Sequence, residues 1–537
     1  MWGLDLRINN REKEMSEGAV RKSIVSLLKA TVAQFPQHTV LRFMAKSTNF
    51  KEFDEKSDAV AAGLIELGIS KGDKVALYCV NSDLFAFAYM GIVKTGATVV
   101  PINLLLNPRE ISFILNDAQV KGLIYHEAFL ANVQSFRPET PSIQFAVAIG
   151  SQKADPADCP WPEFLRPGVE VPAVQVDPDE DVVSILYTSG TTGRPKGVML
   201  SHTNLASNTT SVKESLKLTP GEDSFLVVLP MFHAFASTVG MLMPILHGLT
   251  LFPVPKFDPV LVADTIAENK ATVFMAVPSM YNVLMNMPEE HVSKFKTIKF
   301  GISGGSAMPQ ALMQRFEERF GFPLLEGDGP TECSPVTCVN PVDGVRKPAS
   351  VGLPVSRVEM AILDSSAKPV ADNEMGEICV RAPSVMKGYY NLPEETAKTF
   401  YGDWLRTGDL GYRDEDGYFY IVDRIKDMII VNGMNIYPRM IEEVLYENPV
   451  IQEAAVVGEP DERHGEVPVA YIVLKDGGEA DTAGMRAFCR ERLGRHQVPK
   501  KFHFIDMLPK NAAGKILKRE LRKQGELERG VDSRVDA

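Results

Sequence analysis

Residues 184–200 read SILYTSGTTGRPKGVML. The apolar start of this stretch has the pattern of a strand. It leads into Thr188, Ser189, Gly190, Thr191, Thr192 and Gly193, and then into Arg194-Pro195-Lys196-Gly197. Glycines let a backbone turn until its N–H groups converge, and hydroxyls add further donors. The segment therefore predicts a concavity for phosphate oxygens, with the charge of Lys196 beside it. A Walker A loop is excluded, because that pattern needs Gly-Lys-Ser/Thr opening a helix. Here proline precedes the lysine, and Val198-Met199-Leu200 reads as extended. An idle hydroxyl-rich turn is the competing reading, and ten consecutive residues of one chemistry argue against it.

Outward from this stretch the chain alternates short apolar runs with helical stretches. Residues 24–35 carry apolar positions at helical spacing and stop at Pro36, and 54–67 reads as an amphipathic helix. A strand over 74–79, a helix over 83–94 and a strand over 97–101 follow, and later strands are expected over 272–277 and 299–303. This rhythm predicts parallel sheets covered by helices. Between Lys153 and Pro178 a proline-rich stretch reads as an exposed connector. After about Val351 the texture turns to closely spaced β-like runs (358–363, 376–381, 417–422). Beyond 423–427 it becomes a small separate α/β unit, with a helix over 438–448 and a strand over 467–475.

Composition narrows the class. Of 537 residues, 45% are hydrophobic and 23% charged, values of an ordinary globular chain long enough for several structural units. The net charge of −12 argues against a protein devoted to nucleic acid or acidic membranes. From Arg490 to Lys523, however, eleven Lys and Arg face three carboxylates, a local net of +8. That segment is either a solvated helical surface or a patch for a polyphosphate ligand. The six cysteines are scattered and form no CxxC pair, which predicts free thiols in a reducing, cytoplasmic setting rather than zinc ligands. The N-terminus places charges where a signal peptide needs its apolar core, and no apolar run approaches the ~20 residues of an integral membrane span.

The glycine stretch closely resembles the phosphate loop of the adenylate-forming superfamily, which holds acyl-CoA synthetases, luciferases and peptide-synthetase adenylation domains. Further motifs of that superfamily follow in the right order: SGGSAMP (303–309), GDGPTE (327–332), RTGDLG (406–411), DRIKDMIIVNGMNIYP (423–438) and PKNAAGKILKREL (509–521). Together they extend the resemblance over nearly the whole chain. It implies an α/β fold: a large N-terminal domain of parallel-rich sheets with a β-rich subdomain over 1–423, a hinge at 424–427, and a small mobile α+β lid over 428–537.

The resemblance also implies roles. Thr331 contacts phosphate and Glu332 reaches Mg²⁺, a hard cation that prefers oxygen ligands. Asp409 takes the ribose diol with Arg424 nearby, and Gly304, Gly305 and Ser306 lie against the adenine. Gly327, Asp328 and Gly329 belong to the same nucleotide site, but Asp328 stands where the family has an aromatic ring stacked on adenine. Asp328 is accordingly expected to lower ATP affinity or to contact the adenine amino group. Lys515 swings in to the carboxylate and the α-phosphate, where a point charge meets developing negative charge. Lys426 is the hinge position, and the loop at Gly433 lines the thiol route after rotation. His233 edges the acyl pocket. Long-chain relatives follow that histidine with a gating tryptophan, whereas Ala234-Phe235-Ala236-Ser237 stands here.

The resemblance implies a reaction that needs no Ser or Cys nucleophile, because the substrate carboxylate attacks the α-phosphate of ATP and coenzyme A then takes the acyl group. The resemblance points to a medium- to long-chain fatty acid, with an aromatic or alicyclic acid, or transfer to a carrier protein, as alternatives. The Met- and Phe-rich stretches 230–243 and 274–287 fit an apolar pocket and fit ordinary core packing equally well. The partners implied are small molecules and not nucleic acid, and the reading admits a homodimer.

Overall fold

The computed structural model describes residues 22–150, 155–189, 194–475, 477–511 and 514–535. Of the glycine loop, Gly190, Thr191, Thr192 and Gly193 lie outside the described residues.

The expected βαβ rhythm is present. The strand Lys74–Tyr78 leads into the helix Asp83–Lys94, whose first turn is capped by the Ser82 hydroxyl accepting from the Phe85 N–H. The chain returns in the strand Thr98–Pro101, parallel to the first. The preceding helix runs Phe50–Glu66 and so begins before the predicted Asp54. The reason is a capping box: Asn49 accepts from the Glu52 N–H at 2.8 Å, and Glu52 accepts from the Asn49 N–H at 3.1 Å.

Among the described residues two large sheets form the N-terminal body. One has eight strands and includes Lys74–Tyr78, Thr98–Pro101 and the hairpin Val182–Ser189/Pro195–Ser201. The other has nine, with Ser224–Val227, Val273–Ala276, Phe300–Ser303 and Leu324–Asp328 side by side and parallel. Their inward faces share one apolar core, with Val75, Leu77, Phe225, Val227 and Met275 fully buried. In the nine-stranded sheet, Ala276, Ser303 and Asp328 end their strands on the same edge, where loops can carry polar groups without disturbing the core.

The connector expectation holds over 167–178, which is irregular and largely exposed, and needs correction before it. Within 155–178 the chain forms an edge strand, Cys159–Pro160, and a short helical turn, Trp161–Phe164. Trp161 and Phe164 are buried, and the Arg166 N–H donates to the Ala59 carbonyl at 3.1 Å. The prolines break regular structure as read, but two large aromatic side chains draw the segment onto the helix Phe50–Glu66.

The β-like texture after Val351 forms a mostly antiparallel five-stranded sheet containing Glu359–Leu363, Gly376–Arg381, Trp404–Arg413 and Phe419–Arg424. Residues from Ile429 onward build another five-stranded sheet. Ile429, Ile436, Ile441, Leu445 and Val456 are buried on one side of it, and Val457, Val469, Tyr471 and Leu521 on the other. No helix among the described residues is long and apolar enough to cross a membrane.

Candidate active site

The hairpin that bears the glycine loop sets the first side of the site. Its register places Thr188 opposite Lys196 and Ser189 opposite Pro195. Lys196 Nζ pairs with Glu395 at 2.7 Å and lies 5.0 Å from the centre of the Tyr389 ring. The Tyr389 hydroxyl in turn donates to Glu332 Oε1 at 2.8 Å. Paired charges favour the ionised acid, and Lys196 with Lys398 holds the Glu395 carboxyl down at about 2. The lysine of one motif and the glutamate of another, 136 residues apart in sequence, thus meet through a tyrosine that neither motif contains.

The helix His202–Ser215 follows the hairpin and ties the next loop in place. Buried Asn208 donates to the carbonyls of Cys333 and Val336 at 3.2 and 2.8 Å, fixing the turn that begins at Thr331 and Glu332. Gly329 shows why that motif needs glycine, since a Cβ there would lie 1.8 Å from the Pro335 carbonyl oxygen. In the neighbouring loop Gly304 is buried, whereas Gly305 and Ser306 are exposed and Gly305 has φ +80°, the left-handed region that glycine adopts without strain.

Below these loops lies a cavity with about 580 Å³ of empty space, including its open mouth. Gly304, Gly327, Asp328 and Thr331 stand at one part of its wall. Val212, Leu216, Val239 and Val336 make the rest apolar. His233 and Phe235 also line it, His233 just before a π-helical segment over Ala236–Leu242, an irregularity that often marks functional sites. Burial, followed by the charge of Lys515, pulls His233 down to about 4, so its ring is neutral near pH 7.

A charge cluster closes the site. Asp409 and Arg424 are opposite each other across an antiparallel pair and form an ion pair at 3.0 Å. Burial, then the charge of Asp409, pushes the Asp328 carboxyl up to about 6, against the pull of Arg424. Lys515 arrives from the C-terminal unit. The carbonyl of the preceding Gly514 meets the Ser279 hydroxyl at 3.5 Å, and a Cβ on Gly514 would lie 2.8 Å from Val277 Cγ2. Lys515 is an exposed residue by its overall surface. Protein nevertheless surrounds it closely enough that desolvation, then Arg424, lowers its pKa while Asp409 and Asp328 oppose that shift. Lys426 is exposed beside this cluster. Gly433, φ +80°, lies in an exposed tight turn between Ile429–Val431 and Met434–Ile436.

His233, Gly304, Gly305, Gly327, Asp328, Gly329 and Thr331 thus line one cavity, and Asp409, Arg424 and Lys515 bear on Asp328. Lys196, opposite Thr188, is joined to Glu332 through Tyr389, whereas Gly433 stands on a turn of the C-terminal unit. Several residues of the cleft had no signal in the sequence. Tyr389, Glu395, Val212, Leu216 and Val336 lie outside the motifs that were read, and only the packing of distant segments brings them in.

A fold of this kind, with a nucleotide-type loop, an acidic-basic cluster and a lysine delivered by a small C-terminal unit, defines an adenylate-forming enzyme. The AMP-binding enzyme family matches residues 28–390, and the AMP-binding enzyme C-terminal domain matches 440–515. The chain belongs to this family of enzymes. It is 37% identical over 528 residues to a long-chain-fatty-acid–CoA ligase of Bacillus subtilis (strain 168), covering 93% of this chain and 94% of that one. It is 35% identical over 490 residues to a feruloyl-CoA synthase of Amycolatopsis sp, covering 91% and 96%. Among solved structures, an anthranilate CoA ligase in complex with anthranoyl-AMP superposes with a TM-score of 0.89 at 28% identity, over 96% of this chain and 99% of that one.

Proposed function

We propose that the protein is an AMP-forming carboxylic acid–CoA ligase acting on an apolar, medium- to long-chain acid in the cytoplasm. The observation that carries this reading is the position of Lys515 and the Asp328–Asp409–Arg424 cluster at a cavity whose remaining wall is apolar. The carboxylate of the acid sits at the polar end with its chain among Val212, Leu216, Val239 and Val336. One carboxylate oxygen attacks the α-phosphorus of ATP in line, the bond to the bridging oxygen breaks, and pyrophosphate leaves. The sulfur of CoA then attacks the acyl carbon, its proton passes to solvent, and AMP leaves.

The roles proposed are those the family resemblance implies. Lys515 lies where charge develops on the carboxylate and α-phosphate, and Asp409 with Arg424 holds the ribose. Gly304, Gly305, Ser306, Gly327 and Gly329 present backbone to the adenine. Thr188, Ser189, Lys196 and Thr331 serve the phosphates together with 190–193. Neutral His233 marks the boundary between nucleotide and acyl group. The divisions 1–423, 424–427 and 428–537 are body, hinge and lid. Rotation at Lys426 withdraws Lys515 and brings the Gly433 turn to the thiol route. Among the described residues no three His, Cys, Asp or Glu side chains gather as a metal cage. A single carboxylate such as Glu332, steadied by Tyr389, suits Mg²⁺ that takes most of its oxygens from phosphate and water. When bound, Mg²⁺ neutralises charge on the leaving pyrophosphate.

The test is a panel of fatty, aromatic and alicyclic acids with ATP and CoA, read as AMP release. Turnover of C8–C18 fatty acids at rates well above ferulate and anthranilate is the expected result. Preference for an aromatic acid overturns the substrate assignment. AMP release with a carrier-protein thiol and not with CoA overturns the acceptor.

A further inference from the structure

Where the C-terminal unit meets the parallel sheet, two buried charged groups face each other. Glu326 lies in the strand Leu324–Asp328, two residues before Asp328, and is 2% exposed. Its Oε1 accepts from the Met308 N–H at 2.9 Å, while its buried Oε2 has no hydrogen-bond partner among the described residues. Arg439 stands in the first turn of the helix Pro438–Tyr446. It donates from Nη1 to the Ile421 carbonyl at 2.7 Å, and its backbone N–H donates to Asp423 at 2.9 Å. Its buried Nη2 makes no hydrogen bond among the described residues and lies 3.9 Å from Glu326 Oε1.

An unpaired charge in such a place is costly, so Glu326 depends on Arg439, while Arg439 also has Glu443 of its own helix at 3.8 Å. Burial pushes the Glu326 carboxyl up to about 7, and Arg439 is the first group opposing that shift. Glu443 and Asp328 are the other charges that bear on it. At 3.9 Å the two are within ion-pair range yet short of a hydrogen bond, a contact that holds the unit and can still part. Besides the two bonds from Arg439 to Ile421 and Asp423, polar contacts across the same boundary include Asn282 to the Gln452 carbonyl at 3.0 Å, Gln310 N–H to Glu443 at 3.4 Å, and Ser279 to the Gly514 carbonyl at 3.5 Å.

We infer that Glu326 and Arg439 form an ionic latch that positions the C-terminal unit for adenylate formation and parts when the unit turns about 424–427. Glu326 shares its strand with Asp328, and Arg439 shares its unit with Lys515. The latch therefore registers the lysine against the strand that forms the floor of the nucleotide site. Both are positioning residues and touch no reacting atom. The inference rests on the reading of two half-reactions served by one mobile unit.

The test uses Arg439→Met and Glu326→Gln, singly and together, in the full-length protein. Each half-reaction is followed separately, and amide hydrogen exchange of residues 438–446 is measured without ligands. Each single variant slows acyl-adenylate formation about tenfold through kcat, with KM for ATP unchanged, because the population of the positioned state falls. Thioester formation from preformed acyl-adenylate does not slow, exchange over 438–446 rises, and the double variant is no slower than the slower single. Arg439→Lys restores most of the rate and guards against a variant that merely misfolds. Equal loss in both half-reactions, additive loss in the double variant, or unchanged exchange overturns the latch. A wild-type protein that forms no adenylate from any acid overturns the ligase reading instead, and the exchange comparison still decides whether the pair holds the unit.

Discussion

The floor of the cleft is the carboxyl edge of a parallel sheet. Ile302, Ser303 and Glu326 are buried, adjacent strands are bonded residue by residue, and the following turn is tied down by Asn208. The roof is different. The C-terminal unit has its own sheet and core, and its polar contacts with the body include Arg439 with Ile421, Asp423 and Glu326, Glu443 with the Gln310 N–H, and the carbonyls of Gln452 and Gly514 with Asn282 and Ser279. A floor built this way holds the nucleotide loops to fixed positions, because moving them would break backbone bonds and open the core. On the proposed hinge reading, ligands shift the population between a seated and a lifted roof. On that proposed reading, the difference teaches where chemistry that must alternate is placed: Lys515 lies on the C-terminal unit, and Asp328, Thr331 and Glu332 on the sheet-bound loops.

That contrast breaks most sharply at Lys515. Lys515→Ala is expected to reduce acyl-adenylate formation about 100-fold or more while largely sparing thioester formation from preformed adenylate. Equal loss in both steps, measured by pyrophosphate release and CoA consumption, would place the lysine in the floor's function rather than the roof's. Glu332→Gln is expected to slow adenylate formation by a similar or smaller factor and to raise the Mg²⁺ concentration needed for half-maximal rate. A Mg²⁺ titration identical to that of the wild type would remove the metal role.

Smaller effects probe the floor itself. Val336→Phe fills the apolar cavity and is expected to cost the longest acids about tenfold in kcat/KM relative to short ones. An unaltered chain-length profile would mean that the acyl group lies elsewhere. Asp328→Tyr restores a ring at the adenine position and is expected to lower KM for ATP by about 2- to 10-fold, the worth of one aromatic stack. An unchanged KM would sink the idea that Asp328 touches the adenine.

A separate effect is on stability rather than rate, and it belongs to the body. His202 and His233 are both pulled down to about 4 by burial, and His202 Nδ1 accepts the Ile24 N–H at 3.2 Å. An unfolded histidine titrates near 6.5, so between pH 6.5 and 4 the unfolded chain binds more protons. Stability therefore falls as pH falls through that window, by about 2 kcal/mol per histidine at pH 5. Melting temperatures at pH 7.5 and 5 should show a smaller drop for His202→Gln than for the wild type, and equal drops would exclude His202 as a source.

Much of the body was legible because its signals are local. The stretch 74–101 alternates apolar strand and capped helix within a few residues, and Ser82 is readable as a cap from its position alone. The connector is irregular and largely exposed over 167–178 as its prolines imply, whereas the burial of Trp161 and Phe164 is not legible locally because it depends on a helix some hundred residues earlier in the chain. In the cleft the same division holds. Asp328, Glu332 and Lys515 stood out through their motifs, whereas Tyr389 and Glu395 had no motif and meet Glu332 and Lys196 only after two sheets have packed.

By itself the sequence determined the family, the order of its motifs and the chemistry those side chains can perform, since glycines, hydroxyls and charges carry that information at short spacing. Only the tertiary structure decided which wall is apolar, which tyrosine steadies Glu332, and which arginine faces Glu326 across the boundary. Those contacts join residues far apart in the chain, and their energies come from burial, a property that no residue has until the whole chain has folded around it.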